Sequence, residues 1–187
     1  GCHERSAVNG LTVEMLDCPL GVAAEHPRLS WRIESALPAT VQTGYRILVS
    51  TDPGDLETGE NLIWDSGDVP SDRSVLVPYE GPELESRRDY YWKVRVATNH
   101  GDTLWSEPSR WSMALLDDSD WQARWIGYDS CLNRTDTLGV FSRLAARYLR
   151  KEFDAGRDIA QARLYISGLG LYECYLNGCR VGEDVLA

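Results

Sequence analysis

The side chains that could carry acid–base, nucleophilic or metal chemistry are dispersed along this chain. Three histidines stand far apart: His3 lies near the N-terminus, His26 precedes a proline, and His100 lies in a predicted turn. The glutamates alternate with apolar residues or lie in turns, which is typical of a solvated sheet face. Gly168 and Gly170 lack the third glycine and the following helix of a dinucleotide-binding motif. We therefore assign no catalytic, cofactor-binding or metal-binding residue.

The cysteines do not form a recognisable metal or disulfide pattern. A structural zinc site takes four ligands, usually in pairs of short spacing. If Asn177 and Gly178 form a two-residue hairpin turn, Cys174 and Cys179 are diagonal neighbours, roughly 7–8 Å apart. That separation is beyond comfortable disulfide reach. We therefore expect free, partly buried thiols at the five cysteines, which are Cys2, Cys18, Cys131, Cys174 and Cys179.

The position of Cys2 carries a separate expectation. A cysteine so close to the start resembles the lipid-bearing first residue of a mature bacterial lipoprotein. This resemblance implies an exported bacterial protein, in the periplasm or at the cell surface, with an N-terminal lipid anchor at Cys2. The alternative is an incidental cysteine near a frayed terminus.

Charge and composition exclude two classes of partner. The net charge of −10 disfavours nucleic acid, because neutralising phosphates needs clustered Lys and Arg. The same charge disfavours an anionic membrane surface. No apolar run approaches the ~20 residues of a membrane span. Seven Trp and nine Tyr against two Phe suit sandwich cores, interfaces and sugar-stacking surfaces alike.

Residues 8–116 have the pattern of an all-β domain. Apolar residues alternate with polar ones between clusters of Gly, Pro, Asp and Ser, which indicates a β-sandwich. The alternating stretches are 11–15, 29–33, 45–49, 75–77, 90–96 and 111–115. The one weakly helical piece is 52–58, which Pro53 could open at its first turn and which could equally be a loop.

A polar break at 117–120 marks the predicted domain boundary. Strands are then expected at 148–153 and 162–167, followed by a hairpin over 171–182 with Asn177 and Gly178 in its turn. Residues 129–147 lack periodicity and are expected to form a loop with a short helical or coil piece. Four strands are half of the about eight in a jelly roll. We therefore expect the front of a longer protein, with unpaired strand edges that promote self-association.

The first domain resembles a fibronectin type III module. Leu84 and Tyr90 have the spacing of that family's leucine and corner tyrosine, whose hydroxyl bonds to upstream backbone. The segment 27–31 resembles the strand with the family's core tryptophan, here Trp31. Trp105 and Trp111, each followed by serine, resemble the tryptophan–arginine ladders of cytokine-receptor modules. Lys93 and Arg95 would stack on them, as a structural clamp or, alternatively, a ligand site.

The order of segments resembles the N-terminal region of bacterial α-L-rhamnosidases. The segments that carry this resemblance are 19–21, 27–31, 42–49, 64–67, 91–96, 121–127, 149–153, 162–170 and the Asn177–Gly178 hairpin. The resemblance implies an all-β chain: an immunoglobulin/fibronectin III-like β-sandwich at 1–116, then part of a galactose-binding-like jelly roll at 117–187. It also implies that the acid and base of an inverting glycosidase lie in a later (α/α)₆ barrel, so no catalytic residue is carried over here.

The resemblance implies a non-catalytic N-terminal part of a glycoside hydrolase that removes terminal α-L-rhamnose from plant-type glycans. The expected role is architectural, with the C-terminal domains of the same protein as partners and a rhamnose-containing glycan as a further partner. Trp125, Tyr128 and Tyr175 are the candidate sugar platforms, with burial as the alternative for each.

Two other functions remain open from the sequence. β-Galactosidases and β-glucuronidases also carry jelly rolls with a Leu-Asn-Gly hairpin, although their jelly roll normally comes first in the chain. A free-standing carbohydrate-binding or adhesion module is the second alternative. A helix-rich continuation past Ala187 would favour the rhamnosidase, and an immediate stop codon would favour the module.

Overall fold

The computed structural model describes residues 6–127, 148–156 and 158–182. The chain divides into two compact units between Trp125 and Ile126, later than the predicted boundary after residue 116. The polar break belongs to the first unit because its 3₁₀ turn, Asp118–Asp120, is tied to that unit. Ser86 Oγ donates to Asp120 and accepts from the Leu116 N–H. No helix within the described ranges is long and apolar enough to cross a membrane.

The first unit contains two antiparallel sheets. One has the strand order β1-β2-β5, and the other has the order β4-β3-β6-β7, with β8 also paired to β6. The strands are β1 Ala7–Val13, β2 Arg28–Glu34, β3 Gln42–Ser50, β4 Trp64–Asp65, β5 Val77–Pro78, β6 Asp89–Thr98, β7 Thr103–Trp105 and β8 Ser109–Ser112. The predicted all-β sandwich is confirmed.

Alternation along β6 explains how these sheets share one core. Tyr90, Trp92, Val94 and Val96 are buried and face the opposite sheet. Successive side chains of a strand point to opposite faces, so Arg95 and residues 93 and 97 face outward. Lys93 is the buried exception on that outer face, because the side chain of Trp105 lies over it.

Aromatic rings fill the centre of the core. Trp111 is fully buried and stacks on Tyr90, with ring centroids 5.3 Å apart and an interplanar angle of 22°. Tyr79 meets Trp111 edge-on at 6.5 Å. The Trp111 Nε1–H points at Met113 Sδ at 3.1 Å. Such pairs add to the burial of a large apolar area.

Two sets of hydrogen bonds stabilise the sandwich. The Glu85 N–H donates to the Tyr90 hydroxyl at 2.9 Å, which confirms the predicted tyrosine corner. Across the core, Trp31 Nε1–H donates to Gln42 Oε1 at 2.9 Å. The Gln42 amide in turn donates to the carbonyls of Ser71 and Arg73, each at 2.9 Å. A buried polar group of this kind stabilises the fold only when its partners are present.

The predicted helical piece forms one short helix, α1 Pro53–Thr58. Asp52 is the N-cap, and its side chain accepts from the Gly54 N–H at 2.7 Å. Pro53 lies in the first turn, where a missing N–H costs nothing. Gly59 ends the helix at φ 74°, in the left-handed conformation that favours glycine.

The second unit contains the predicted hairpin, formed by β9 Tyr175–Leu176 and β10 Cys179–Arg180. Asn177 and Gly178 have φ of 50° and 82°, as a type I′ turn requires. Leu176 lies opposite Cys179, and the Val181 N–H donates to the Cys174 carbonyl at 2.8 Å. Cys18, Cys174 and Cys179 are free thiols; the predicted partial burial holds for Cys174 and is wrong for Cys18 and Cys179, which are exposed. Cys2 and Cys131 lie outside the described residues.

The prediction of strands at 148–153 and 162–167 is wrong: in this structure neither segment pairs with another strand. Their alternation suits a sheet, but a strand exists only when a neighbour accepts its hydrogen bonds. The apolar side chains are correspondingly exposed, with Tyr148 at 98% and Phe153 at 67%. The loop predicted at 129–147 lies outside the described residues.

Burial of Tyr79 predicts alkaline loss of stability. Its hydroxyl donates to the Pro82 carbonyl at 2.9 Å, and burial raises the pKa of Tyr79 to about 12. The unfolded chain releases this proton near pH 10. Stability is therefore intact below pH 10 and falls between pH 10 and 12, by about 2–3 kcal/mol for two pKa units. Urea unfolding at a series of pH values measures this fall.

The matched variant for this prediction is Tyr79→Phe. It removes the titrating group, so its stability should fall less between pH 10 and 12 than that of the unaltered chain. Equal slopes for the two proteins would contradict the assignment to Tyr79.

Candidate functional site

Trp125 and Tyr175, two of the predicted sugar platforms, belong to different units of the chain. Trp125 is 70% exposed at the end of the first unit, and Tyr175 is 57% exposed on the hairpin of the second. The Tyr175 hydroxyl donates to Glu173 Oε2 at 2.8 Å, and that carboxylate raises the pKa of Tyr175. Tyr128 lies outside the described residues. A sugar-binding role for these three residues stays a prediction.

The outer face of the five-stranded sheet holds a cation–aromatic cluster. Arg95 lies directly opposite Trp105 in the β6–β7 pairing. Lys93 Nζ lies 4.8 Å and Arg95 Cζ lies 5.6 Å from the Trp105 ring centroid. These distances are those of cation–π contacts. The predicted clamp is confirmed for Trp105 and is wrong for Trp111, which lies in the core.

Neighbouring contacts hold this cluster in place. The Ser106 N–H donates to the Val94 carbonyl at 2.9 Å, and Ser106 Oγ accepts from the Val94 N–H at 3.1 Å. The ammonium of Lys93 lies 3.5 Å from Glu57 on α1. Trp105 therefore lies on an anchored strand with its ring over two cations.

Two further ion pairs cross the same face. Arg46 binds Asp65 through two bonds, Nε to Oδ1 at 2.8 Å and Nη2 to Oδ2 at 2.5 Å. This bidentate geometry lowers the pKa of Asp65. Arg95 donates to Asp68 and so spans the distance between Trp105 and the segment that follows β4.

Between Arg95 and that segment lies an open cleft with a volume of about 450 Å³. Its floor is shallow because Gly44 pairs with Ala97, and Ala97 pairs with Thr103, so three small residues lie side by side. The wall formed by 68–70 lies close to β3, since Tyr45 and Val69 exchange backbone hydrogen bonds of 2.9 and 2.8 Å. A Cβ at position 44 would approach the Val69 carbonyl oxygen to 3.1 Å.

This cleft was not foreseen from the sequence, because its small residues come from three separate strands. The only local signal was the outward position of Arg95, which lines the cleft. Within 6–127, 148–156 and 158–182, the structure groups no three His, Cys, Asp or Glu side chains in a geometry that could hold a metal ion.

Two segments of the chain match models of known protein families. Residues 8–117 match the family model described as "Rha78A-like, N-terminal immunoglobulin domain". Residues 157–187 match the model described as "Alpha-L-rhamnosidase N-terminal domain". The two matches follow one another in the chain.

Curated relatives and a solved structure agree with these matches. The chain is 37% identical over 193 residues to an α-L-rhamnosidase of Streptomyces avermitilis, covering 96% of this chain and 18% of the relative. It is 35% identical over 185 residues to one of Formosa agariphila, covering 90% and 19%. It also resembles the crystal structure of the Streptomyces avermitilis α-L-rhamnosidase complexed with L-rhamnose, with 44% identity and a TM-score of 0.62 over 65% of this chain and 12% of that one. The chain thus spans about a fifth of the length of its curated relatives.

Proposed function

Because this chain belongs to the family of Rha78A-like N-terminal immunoglobulin domains, we propose that it acts as the non-catalytic N-terminal part of an α-L-rhamnosidase. The resemblance predicted from the order of its segments is confirmed by the two family matches. The proposed role is architectural: the chain supports the part of the enzyme that performs hydrolysis.

The order of the two matched regions carries this proposal. An immunoglobulin-like domain at 8–117 precedes a rhamnosidase N-terminal domain at 157–187, and the relatives are about five times as long. An inverting glycosidase needs an acid and a base on opposite sides of the sugar, about 6.5–9.5 Å apart. In the proposal, both carboxylates lie in another part of the same enzyme, outside these 187 residues.

The contrast in burial between the two units supports an architectural role. The first unit has its own packed core, so it can serve as a rigid body. The second unit leaves large apolar side chains exposed, with Leu169 at 93%. Other exposed members of this set are Leu149, Phe153, Leu164 and Leu171. Apolar surface of this kind marks a site of contact with further protein, which we propose to be the remainder of the rhamnosidase.

A substrate-binding contribution is the finer part of the proposal. The ligand would be the terminal α-L-rhamnose of plant-type glycans. The exposed ring of Trp125 in the first unit, or that of Tyr175 in the second, could stack on a sugar. Trp and Tyr suit such a surface because each ring joins an apolar face to a polar edge.

A chimaeric enzyme tests the architectural role. The segment of the Streptomyces avermitilis enzyme that aligns with this chain is replaced by residues 1–187, and hydrolysis of an aryl α-L-rhamnoside is measured. We expect activity of the same order as that of the unaltered relative. Deletion of the same segment should cost at least about tenfold in activity, equal to about 1.4 kcal/mol.

Two results would contradict the proposal. The architectural role would be contradicted if the enzyme that lacks this segment folds and hydrolyses the substrate as fast as the complete enzyme. Release of rhamnose by the isolated 187-residue chain would show that catalytic groups lie within it. Circular dichroism of each protein separates loss of folding from loss of activity.

A further inference from the structure

We propose that the loop after β1, residues 14–20, is a preformed contact between the immunoglobulin-like unit and the catalytic portion of the rhamnosidase. That portion lies outside these 187 residues, so the inference deepens the proposed function and rests on it. The contact belongs to the first unit and is separate from the exposed apolar side chains of the second.

The 14–20 loop concentrates exposed apolar side chains. Met15, Leu16 and Leu20 are 63%, 59% and 74% exposed, and all three lie within six residues of the chain. Single exposed apolar residues are normal on a protein surface, whereas a group of large ones marks a surface that another protein or domain covers. The loop is therefore a candidate contact surface.

The loop begins with a strained two-residue turn. The Val13 N–H donates to the Leu16 carbonyl at 2.9 Å, and the Leu16 N–H donates to the Val13 carbonyl at 3.0 Å. Between them, Glu14 and Met15 have φ of 51° and 66°. Positive φ at both central positions is the type I′ pattern, which favours Asn and Gly. Other residues adopt this conformation at a cost, and such strain is concentrated at functional sites.

Glu14 has a structural reason for its place in this turn. Its Oε1 accepts from the Arg28 backbone N–H at 2.7 Å. The Arg28 guanidinium donates to the same carboxylate through Nε, at 3.1 Å to each oxygen, and through Nη2, at 2.5 Å to Oε2. Met15 is exposed, so burial within this unit does not explain a large apolar side chain at the second strained position. A partner that covers Met15 explains it.

The far end of the loop is held by the strand through which the chain leaves this unit. The Ser112 N–H donates to the Pro19 carbonyl at 3.0 Å, and the Val22 N–H donates to the Ser112 carbonyl at 2.8 Å. Ser112 is the last residue of β8, after which the chain continues to the end of the unit at Trp125. A surface anchored at both ends is ordered in advance, so a partner binds it without the entropy cost of ordering it.

The remainder of the same enzyme is the occupant that the observations favour. This chain covers 18% of the length of the Streptomyces avermitilis relative, so under the proposed function most of the enzyme is available to cover the loop. That part is joined to the unit through the strand beside the loop, and a covalent link keeps it at high effective concentration there. Leucine and the adaptable side chain of methionine suit packing against another protein surface.

Oxidation by hydrogen peroxide, followed by mass spectrometry of the digested protein, tests this inference. Peroxide transfers one oxygen to a methionine sulfur, which gives the sulfoxide and water. The chain has two methionines: Met15 is exposed, and Met113 is fully buried and so reports unfolding. The isolated 187-residue chain is compared with the chimaeric enzyme that carries residues 1–187. Met15 should be oxidised at least about tenfold more slowly in the chimaeric enzyme, and Met113 should stay reduced in both.

Substitutions beside Met15 test whether the loop itself makes the contact. Leu16→Lys with Leu20→Lys places two charges in the contact and keeps Met15 as the reporter. In the chimaeric enzyme, this pair should return the rate of Met15 oxidation to within about twofold of that in the isolated chain. Leu37→Lys with Val75→Lys is the matched control, because these side chains are 50% and 54% exposed elsewhere on the same unit. It should leave Met15 protected.

Three outcomes would overturn the inference. One is a folded chimaeric enzyme in which Met15 is oxidised as fast as in the isolated chain. The second is protection that survives Leu16→Lys with Leu20→Lys. The third is protection of Met15 in the isolated chain that rises with protein concentration, which would make a second copy the occupant.

A second measurement decides the matter if the chimaeric enzyme does not fold. Hydrogen exchange is compared between the complete Streptomyces avermitilis enzyme and its isolated segment that aligns with this chain. Exchange at the positions aligned with 14–20 should be at least about tenfold slower in the complete enzyme, and equal rates would overturn the inference. Neither measurement involves hydrolysis, so full activity of the enzyme that lacks this segment would contradict the proposed function without deciding whether the contact exists.

Discussion

Replacing Trp111 by alanine is expected to lower the free energy of unfolding of the first unit by about 3–5 kcal/mol. Trp111 is fully buried between Tyr90 and Tyr79, and its indole N–H points at Met113 Sδ. The variant loses the transfer free energy of a large ring and leaves a cavity that the two sheets cannot close. A domain of this size is typically stable by only about 5–15 kcal/mol, so about a fifth or more of the total is removed.

Urea unfolding followed by near-ultraviolet circular dichroism measures this loss. Trp105→Ala is the matched control, because it removes the same side chain from the exposed face of the same sheet. That variant should cost only about 1–2 kcal/mol, since it loses two exposed cation–π contacts of about 0.5–1 kcal/mol each. Similar losses for the two variants would contradict the separation of core and surface tryptophans.

The 187-residue chain is also expected to self-associate through its second unit. The hairpin is a two-stranded element, and such elements are marginally stable without a facing layer. Phe153, Leu169 and Leu171 of the same unit are exposed. Strand edges and apolar side chains in this state pair readily with another copy. The weight-average mass should therefore rise with protein concentration.

Sedimentation velocity over a range of concentrations tests this expectation. A chain of residues 1–127, which retains the packed core of the first unit, is the control and should sediment as a monomer. Phe153→Lys with Leu171→Lys should shift the full chain toward the monomer, because like charges oppose stacking of the exposed faces. A constant monomer mass for the full chain, with protected amides over 148–182, would contradict the prediction.

Local patterns were sufficient to predict the first unit and the hairpin. Alternation along β6 placed Tyr90 and Trp92 inward, and the spacing of Leu84 and Tyr90 identified the corner that the Glu85 N–H completes. Asn177 and Gly178 predicted their turn because both positions need positive φ. Each of these signals lies within a few neighbouring residues.

Features that depend on distant strands could not be read in the same way. Residues 148–153 and 162–167 alternate as strands do, but pairing needs a partner that alternation alone cannot specify. The cleft depends on Gly44 and Ala97 becoming neighbours, which is decided by the register of β3 against β6.

The two Trp-Ser pairs show how a break in a strand changes the outcome. Trp105 and Trp111 are six residues apart, so one continuous strand would place both on the same face. The structure has two strands here, β7 and β8, separated by a segment that contains Pro108. Proline cannot donate to a ladder and so interrupts the strand. Trp111 consequently faces the core, whereas Trp105 faces outward.

The late position of β8 has a consequence for biosynthesis. Trp111 and Met113 complete a core whose other members begin at Val8, so a nascent polypeptide lacks a central part of that core until this last strand leaves the ribosome. Contacts between such distant segments make folding slow, because a long loop must close before they form. The immunoglobulin-like unit therefore matures while the residues after it are still being translated, and those residues emerge next to a nearly finished neighbour.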